Sequence, residues 1–296
     1  RASQLGMKAV VVESNDLGGI CLNWGCIPSK ALLRNAEVLN LIHRSKEFGI
    51  TVGNLDVDFG KAIDRSREVV NKLTQGIGFL LKKNSVAHVS GVGSLKDPNT
   101  VAISGSDTTL SASNIIIATG ASFSQLPSVP VDRHTVITSR EALLLREVPD
   151  RIVIIGGGAT GVEFAYLYRS YGSEVTLVEL LPHLVPNEDE EVSMLLEKAF
   201  KSQGICTRTG SRVEGIRTNN GQATVSISDS AGTSDIDCDI ILVAVGAKGN
   251  IDNIGLETLG VATERSYINI DDKMETNVPG VYAIGDVTGK LLLAHV

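Results

Sequence analysis

Arg151-Ile152-Val153-Ile154-Ile155 is an apolar block of strand length with no polar alternation, and it predicts a strand covered on both faces, as in a parallel sheet. Three glycines follow, and Val162, Phe164, Ala165 and Leu167 then repeat at helical spacing. A second strand is predicted over Glu174 to Val178, so 151–179 reads as a strand, a glycine loop, a helix and a parallel strand. Upstream, Pro28 suits a first helical turn, and Ala31, Leu32, Leu33, Ala36, Val38 and Leu39 continue it. Phe59 to Lys83 is strongly helical, with Ile63, Val69, Val70, Leu73, Ile77, Leu80 and Leu81 as the predicted buried set. Short strands are expected from Val86 to Ser104 around an Asp97-Pro98-Asn99 turn, and a buried strand from Asn114 to Ala118 ending in Thr119-Gly120. A helix from Asp189 to Gln203 and strands at Val225 to Ile227 and Ile236 to Val245 complete an α/β pattern.

One segment occurs twice. Leu5 to Glu13 aligns with Tyr171 to Glu179, with Gly6 matching Gly172 and Glu13 matching Glu179. The chain is therefore expected to hold a second nucleotide-binding half whose glycine loop would fall before residue 1, a reading in which the sequence is truncated at its start.

Composition narrows the classes. A chain of 296 residues with 43% hydrophobic content can build about two domains, and a net charge of -7 without a basic block argues against nucleic acid or an anionic membrane as partner. No stretch is long and apolar enough to span a bilayer, and no signal peptide is recognisable after Arg1. Four cysteines suit a reducing compartment better than a disulfide scaffold, with Cys206 and Cys238 expected to be packing residues.

The glycines carry chemistry. Gly156 permits a tight turn, Gly158 lets backbone approach a pyrophosphate and Gly161 allows close helix-to-strand packing, while the helix start offers N–H donors to phosphate. An acid at Glu179 can bind ribose hydroxyls and repel a 2′-phosphate, favouring NAD over NADP, against the alternative of an ordinary surface acid. Cys21 and Cys26 suggest a redox-active disulfide; two buried cysteines or half a zinc site are the alternatives, and no second pair completes a metal shell. Residues five apart on a helix point apart, so Leu22-Asn23-Trp24-Gly25 must turn irregularly if the sulfurs meet. Cys26 would then lie at a helix start, where a thiolate is stabilised.

The run from Gly18 to Leu33 resembles the active-site segment of the flavin-dependent pyridine nucleotide-disulfide oxidoreductases. Cys-Leu-Asn and Cys-Ile-Pro-Ser-Lys-Ala-Leu are most similar to the members that oxidise dihydrolipoamide; glutathione and mercuric reductases typically have Val at the positions of Leu22 and Ile27. Trp24 stands where many relatives carry Val. The resemblance implies two Rossmann-like three-layer FAD/NAD(P)-binding domains. An incomplete FAD domain at 1–145 would resume at 265–296 and enclose a NAD domain at 146–264. It implies that Cys21 and Cys26 form the redox disulfide and that Lys30 and Glu163 pair near the reacting edge of flavin and nicotinamide. It assigns FAD to Glu13, Lys30, Gly93, Thr119, Gly120, Asp286, Leu292 and Ala294, and NAD to Gly156, Gly158, Gly161, Glu163, Glu179, Val213 and Gly246. No metal is implied. Ala247-Lys248-Gly249 departs from the usual Arg-Xaa-Pro after Gly246. The implied reaction oxidises protein-bound dihydrolipoamide and reduces NAD. Partners would be the lipoyl domain of a 2-oxo-acid dehydrogenase or glycine-cleavage complex and a second copy in a homodimer, in cytoplasm or mitochondrial matrix. The acid-base His-Glu pair of such enzymes would lie beyond Val296. A glutathione or mercuric reductase, or a NAD-binding fragment without turnover, are the competing readings.

Overall fold

The computed structural model describes residues 1–219 and 221–295. The chain forms two compact units, one of 24–70 and 123–246, the other of 1–23, 71–122 and 247–296.

The first of these units is built on a five-stranded parallel sheet in the order Cys206–Arg208, Glu174–Val178, Arg151–Ile155, Ile240–Val243, Val136–Thr138. Its central strands are buried on both faces, which is why Ile152 to Ile155 show no polar alternation. Register brings Ile155 level with Val178 and with Val243, so Gly156, Glu179 and Ala244 leave the sheet at one edge, the carboxyl end where α/β sheets bind ligands. On one face helix Ala159–Ser170 packs against helix Cys26–His43 through Leu32, Ala36, Phe164, Leu167 and Tyr168. Tyr168 is fully buried, its ring near Phe59 and Phe164 and its hydroxyl 3.4 Å from the Ala142 carbonyl, and burial pushes its phenol pKa up. The other face packs on Ala223, Val225 and Ile227 of an antiparallel sheet formed by Arg212–Asn219, Gln222–Asp229 and Gly232–Cys238.

The second unit has two parallel strand pairs, Val10–Glu13 with Ala87–Ser90 and Ile115–Ile117 with Val281–Ala283. An antiparallel meander of Gly93–Asp97, Thr100–Ile103 and Thr109–Ser111 accompanies them. Its core gathers Leu95, Ile115, Ile117, Leu256, Ile268, Val281 and Val287.

Several expectations are corrected. The turn between the cysteines is confined to one residue: Gly19–Trp24 is helical, Gly25 takes φ -142 and ψ -115, and a new helix starts at Cys26. Helix Phe59–Lys83 has the expected span, but only Ile63 and Val70 of the predicted set are buried. Leu73 and Leu80 are exposed, because the core closes around the first half of that helix alone. Ile116 is 59% exposed between buried Ile115 and Ile117, giving the alternation of a one-sided strand. The strand expected at Ile236 to Val245 breaks at Asp239, where the chain passes from the antiparallel to the parallel sheet. The Asp239 carboxylate accepts from the Arg151 backbone at 2.8 Å and from its guanidinium at 3.0 Å, which fixes that crossing. Cys206 is exposed rather than packed, whereas Cys238 is buried and its thiol pKa is pushed up to about 11.

Leu32 lies at the centre of the seam between the two helices with no solvent exposure. Leu32→Ala should therefore lower stability by about 2–5 kcal/mol in urea unfolding followed by far-UV circular dichroism. A loss below about 1 kcal/mol would show that this seam is not a core.

Candidate functional site

Each fingerprint glycine is required for a different reason. A Cβ on Gly156 (φ +109) would sit 2.4 Å from the Ala244 carbonyl oxygen, and one on Gly161 would sit 1.8 Å from the Gly156 carbonyl oxygen. No L side chain fits either place. Gly158 is different: its φ of -74 is open to any residue, and nothing lies within 4 Å of its missing Cβ. The space a side chain would fill is open directly at the start of helix Ala159–Ser170, whose first N–H groups lack intrahelical partners. That cradle fits a dinucleotide pyrophosphate.

Glu179 is 8% exposed, so it is no ordinary surface acid. Its carboxylate accepts from the Gly157 N–H at 2.6 Å and from the Leu181 N–H at 2.8 Å. Each oxygen keeps a lone pair for a ribose hydroxyl. The sequence reasoning passed over Gly157, whose N–H completes this link; a Cβ there would meet Leu184 at 2.7 Å and Glu179 at 3.0 Å. A fourth glycine inside the fingerprint was the available signal. Val213 points into the apolar cluster beneath the sheet, leaving only its backbone for a ligand. Gly246 (φ +98) lies two residues past Ala244, with its carbonyl accepting from Ser124 at 2.9 Å.

Cys21 and Cys26 are disulfide-bonded. Lys30, one turn beyond Cys26, donates to Glu163 at 2.5 Å, joining the helix that starts at Cys26 to the helix that starts at the glycine loop. Asn40 on the first helix also donates to the Tyr166 hydroxyl at 3.0 Å and the Ser170 hydroxyl at 2.9 Å on the second. Two neighbours of the disulfide have contacts that the sequence pattern does not reveal. Asn23, 3% exposed, donates to the Leu17 and Gly19 carbonyls at 3.0 and 2.9 Å and accepts from the Thr74 hydroxyl at 2.9 Å. The Trp24 ring lies under the guanidinium groups of Arg67 at 4.5 Å and Arg140 at 4.2 Å.

In the other unit, Glu13 ends its strand and accepts from the Asn15 N–H at 2.9 Å. Gly93 lies between Val101 and Val12, where a Cβ would find 3.1 and 3.4 Å, so packing by itself accounts for a glycine there. Thr119 and Gly120 are engaged by Asn250: the Thr119 hydroxyl donates to the Asn250 carbonyl at 2.7 Å, and Asn250 donates to the Thr119 and Gly120 carbonyls at 2.9 Å each. Asp286 lies in the turn Gly285–Thr288 and burial raises its carboxyl pKa. No protein donor reaches that carboxylate among the described residues, so its oxygens can accept from a ligand hydroxyl. Leu292 and Ala294 are exposed in irregular chain. Among the described residues no cluster of three His, Cys, Asp or Glu could hold a metal, and no helix is long and apolar enough to cross a membrane.

The sequence profile of the pyridine nucleotide-disulphide oxidoreductases matches residues 1–296. The chain is 45% identical over 304 residues to a dihydrolipoyl dehydrogenase of Mycobacterium leprae, covering 100% of this chain and 65% of that protein. It is 43% identical over 298 residues to that of Chlorobaculum tepidum (99% and 64%) and 41% over 302 residues to that of Acholeplasma laidlawii (100% and 87%). It thus spans 64–65% of the length of the first two relatives. Among solved structures, LpdA from Mycobacterium tuberculosis superposes with TM-score 0.91 at 25% identity, covering 100% of this chain and 66% of that one. The HOCl-induced flavoprotein disulfide reductase RclA from Escherichia coli superposes with TM-score 0.85 at 27% identity (99% and 63%).

The glycine geometry separates folding from binding. Gly161→Ala should destabilise the chain by about 3 kcal/mol or more, because strand and helix must move apart. Gly158→Ala should leave the melting curve within about 0.5 kcal/mol yet weaken NAD binding at least about tenfold in calorimetric titration. Unchanged NAD affinity in Gly158→Ala would remove the pyrophosphate from this loop.

Proposed function

Because this chain belongs to the pyridine nucleotide-disulphide oxidoreductases, a family that uses FAD and NAD, we propose that the whole protein is a dihydrolipoyl dehydrogenase. The observation that carries this reading is the Cys21–Cys26 disulfide at a helix start, with Lys30 one turn on and paired to Glu163. Identity above 40% to dihydrolipoyl dehydrogenases, with Leu22 and Ile27 in the motif, favours a dihydrolipoyl substrate over glutathione or mercuric ion.

In the proposed reaction a dihydrolipoyl thiolate attacks Cys21 Sγ, forming a mixed disulfide and breaking the Cys21–Cys26 bond. The electron pair leaves on Cys26 Sγ, whose thiolate is stabilised by the helix N-terminus. The second lipoyl thiolate attacks its own partner sulfur, closing the lipoyl disulfide and releasing Cys21 as a thiol. Two electrons have then passed from the lipoyl dithiol to the protein, and its two protons go to Cys21 and to solvent. FAD, when bound, supplies a carrier that takes this electron pair from the dithiol and delivers it as hydride to NAD. Glu13, Gly93, Thr119, Gly120, Asp286, Leu292 and Ala294 are the proposed FAD contacts. Gly156, Gly158, Gly161, Glu163, Glu179, Val213 and Gly246 are those for NAD. Lys30, held by Glu163, would supply a positive charge to a bound flavin as it is reduced. We assign the FAD domain to 1–145 and 265–296 and the NAD domain to 146–264, and propose a homodimer that serves a lipoyl domain in the cytoplasm or mitochondrial matrix.

Two measurements test this function. In the full-length protein, Cys26→Ser should abolish lipoamide-dependent NADH formation; retention of more than about a tenth of turnover would show that the disulfide does not carry the electrons. Desolvated Glu179 beside a 2′-phosphate disfavours NADP by like-charge repulsion. NAD should therefore bind at least about tenfold more tightly, about 1.4 kcal/mol, in fluorescence titration. Equal affinities would contradict the NAD assignment.

A further inference from the structure

A disulfide is only as stable as the closeness of its two thiols once reduced, and here a single residue sets that closeness. The helix Gly19–Trp24 carries Cys21, the helix starting at Cys26 carries the other sulfur, and the break between them is Gly25 alone. Glycine has the widest backbone freedom of any residue. When the bond opens, helical angles at Gly25 would fuse the two helices, and residues five apart on one helix point well apart. Something other than the disulfide must therefore hold the bend.

Two grips are present on the residues just before the break, and both come from helix Phe59–Lys83. Thr74 binds the buried Asn23 amide, which is also tied to the Leu17 and Gly19 carbonyls. Arg67 stands two turns earlier on that helix, so it shares a face with Thr74, and it lies over the Trp24 ring. Arg140 adds a second guanidinium to the same ring from helix Ser139–Ala142, whose Thr138 and Glu141 form a capping box. Each cation–π contact contributes about 0.5–2 kcal/mol.

We propose that Trp24 is a positioning residue of the redox centre, holding the Gly25 bend in the reduced protein so that the Cys21–Cys26 disulfide reforms readily and keeps a low reduction potential. The proposal rests on the redox role given to that disulfide above. Loss of the indole lowers the effective concentration of one thiol at the other, and the bond becomes easier to reduce.

The test equilibrates the full-length protein with mixtures of reduced and oxidised dithiothreitol at fixed pH, followed by acid quench, alkylation and mass spectrometry of the Cys21–Cys26 peptide. Reduced dithiothreitol becomes its cyclic disulfide as two electrons and two protons convert the protein disulfide to two thiols. Trp24→Ala should shift the equilibrium about tenfold toward the dithiol, about 30 mV. Arg67→Gln with Arg140→Gln should shift it in the same direction, while Trp24→Phe, which keeps an aromatic face, should stay within about twofold of the parent. If Trp24→Ala does not fold, Trp24→Val replaces it and should show the same shift. An equilibrium constant equal to the parent's in the folded Ala or Val variant, or an equal shift in Trp24→Phe, overturns the proposal. A parent disulfide that stays oxidised throughout overturns the redox function itself, a separate failure that the same titration reveals.

Discussion

Everything chemical in the larger unit depends on the apolar seam between helices Cys26–His43 and Ala159–Ser170. Leu32, Ala36, Phe164, Leu167 and Tyr168 lose nearly all contact with water there, and Ala36 lets the backbones approach. One helix begins at a cysteine and the other at a glycine loop, so their packing joins thiol chemistry to a nucleotide cradle. The Lys30–Glu163 pair lies beside this seam but does not hold it: a lysine that is 60% exposed in an ion pair adds at most about 1 kcal/mol. Apolar burial does the holding. The charges are thereby presented for use, and Asn40 on Tyr166 and Ser170 fixes how far one helix can turn against the other.

Much of this was legible in the sequence where a local rule has one solution. Arg151 to Ile155 had to be a doubly covered strand, and the glycine spacing beyond it had to be a strand-to-helix turn, because Gly156 and Gly161 each face a backbone carbonyl. The pairing of Lys30 with Glu163 followed from resemblance, since no local rule links residues so far apart in sequence. What escaped depended on tertiary surroundings. The second half of helix Phe59–Lys83 repeats the apolar pattern of the first, and nothing in that pattern says that Leu73 and Leu80 stay in water. The break at Asp239 is set by its bond to the Arg151 backbone, a partner in another strand. The setting of Trp24 was not legible because its two cationic partners come from distant segments.

Glu179 illustrates how one side chain can serve fold and specificity at once. Its carboxylate holds the Gly157 and Leu181 N–H groups inside a buried corner, so the glycine loop is braced before any ligand arrives. The two backbone bonds compensate the desolvation of a carboxylate that would otherwise be expelled to water. Selectivity and loop shape therefore cannot be changed independently at this position. A basic residue there would gain attraction for a 2′-phosphate but would leave two buried donors without an acceptor, each costing about 1–3 kcal/mol.

The proposed direction of thiol exchange follows from leaving-group chemistry and not from access. Cys26 is the more exposed of the two cysteines in this structure, with Cys21 half-buried, so accessibility by itself would send the incoming thiolate to Cys26. Yet the sulfur that departs must carry the negative charge, and a thiol of lower pKa leaves faster. Cys26 begins a helix of 18 residues, whose positive N-terminus favours charge at that sulfur, while Cys21 lies within a helix of six residues. Attack on Cys21 thus places the departing charge at the start of the longer of the two helices.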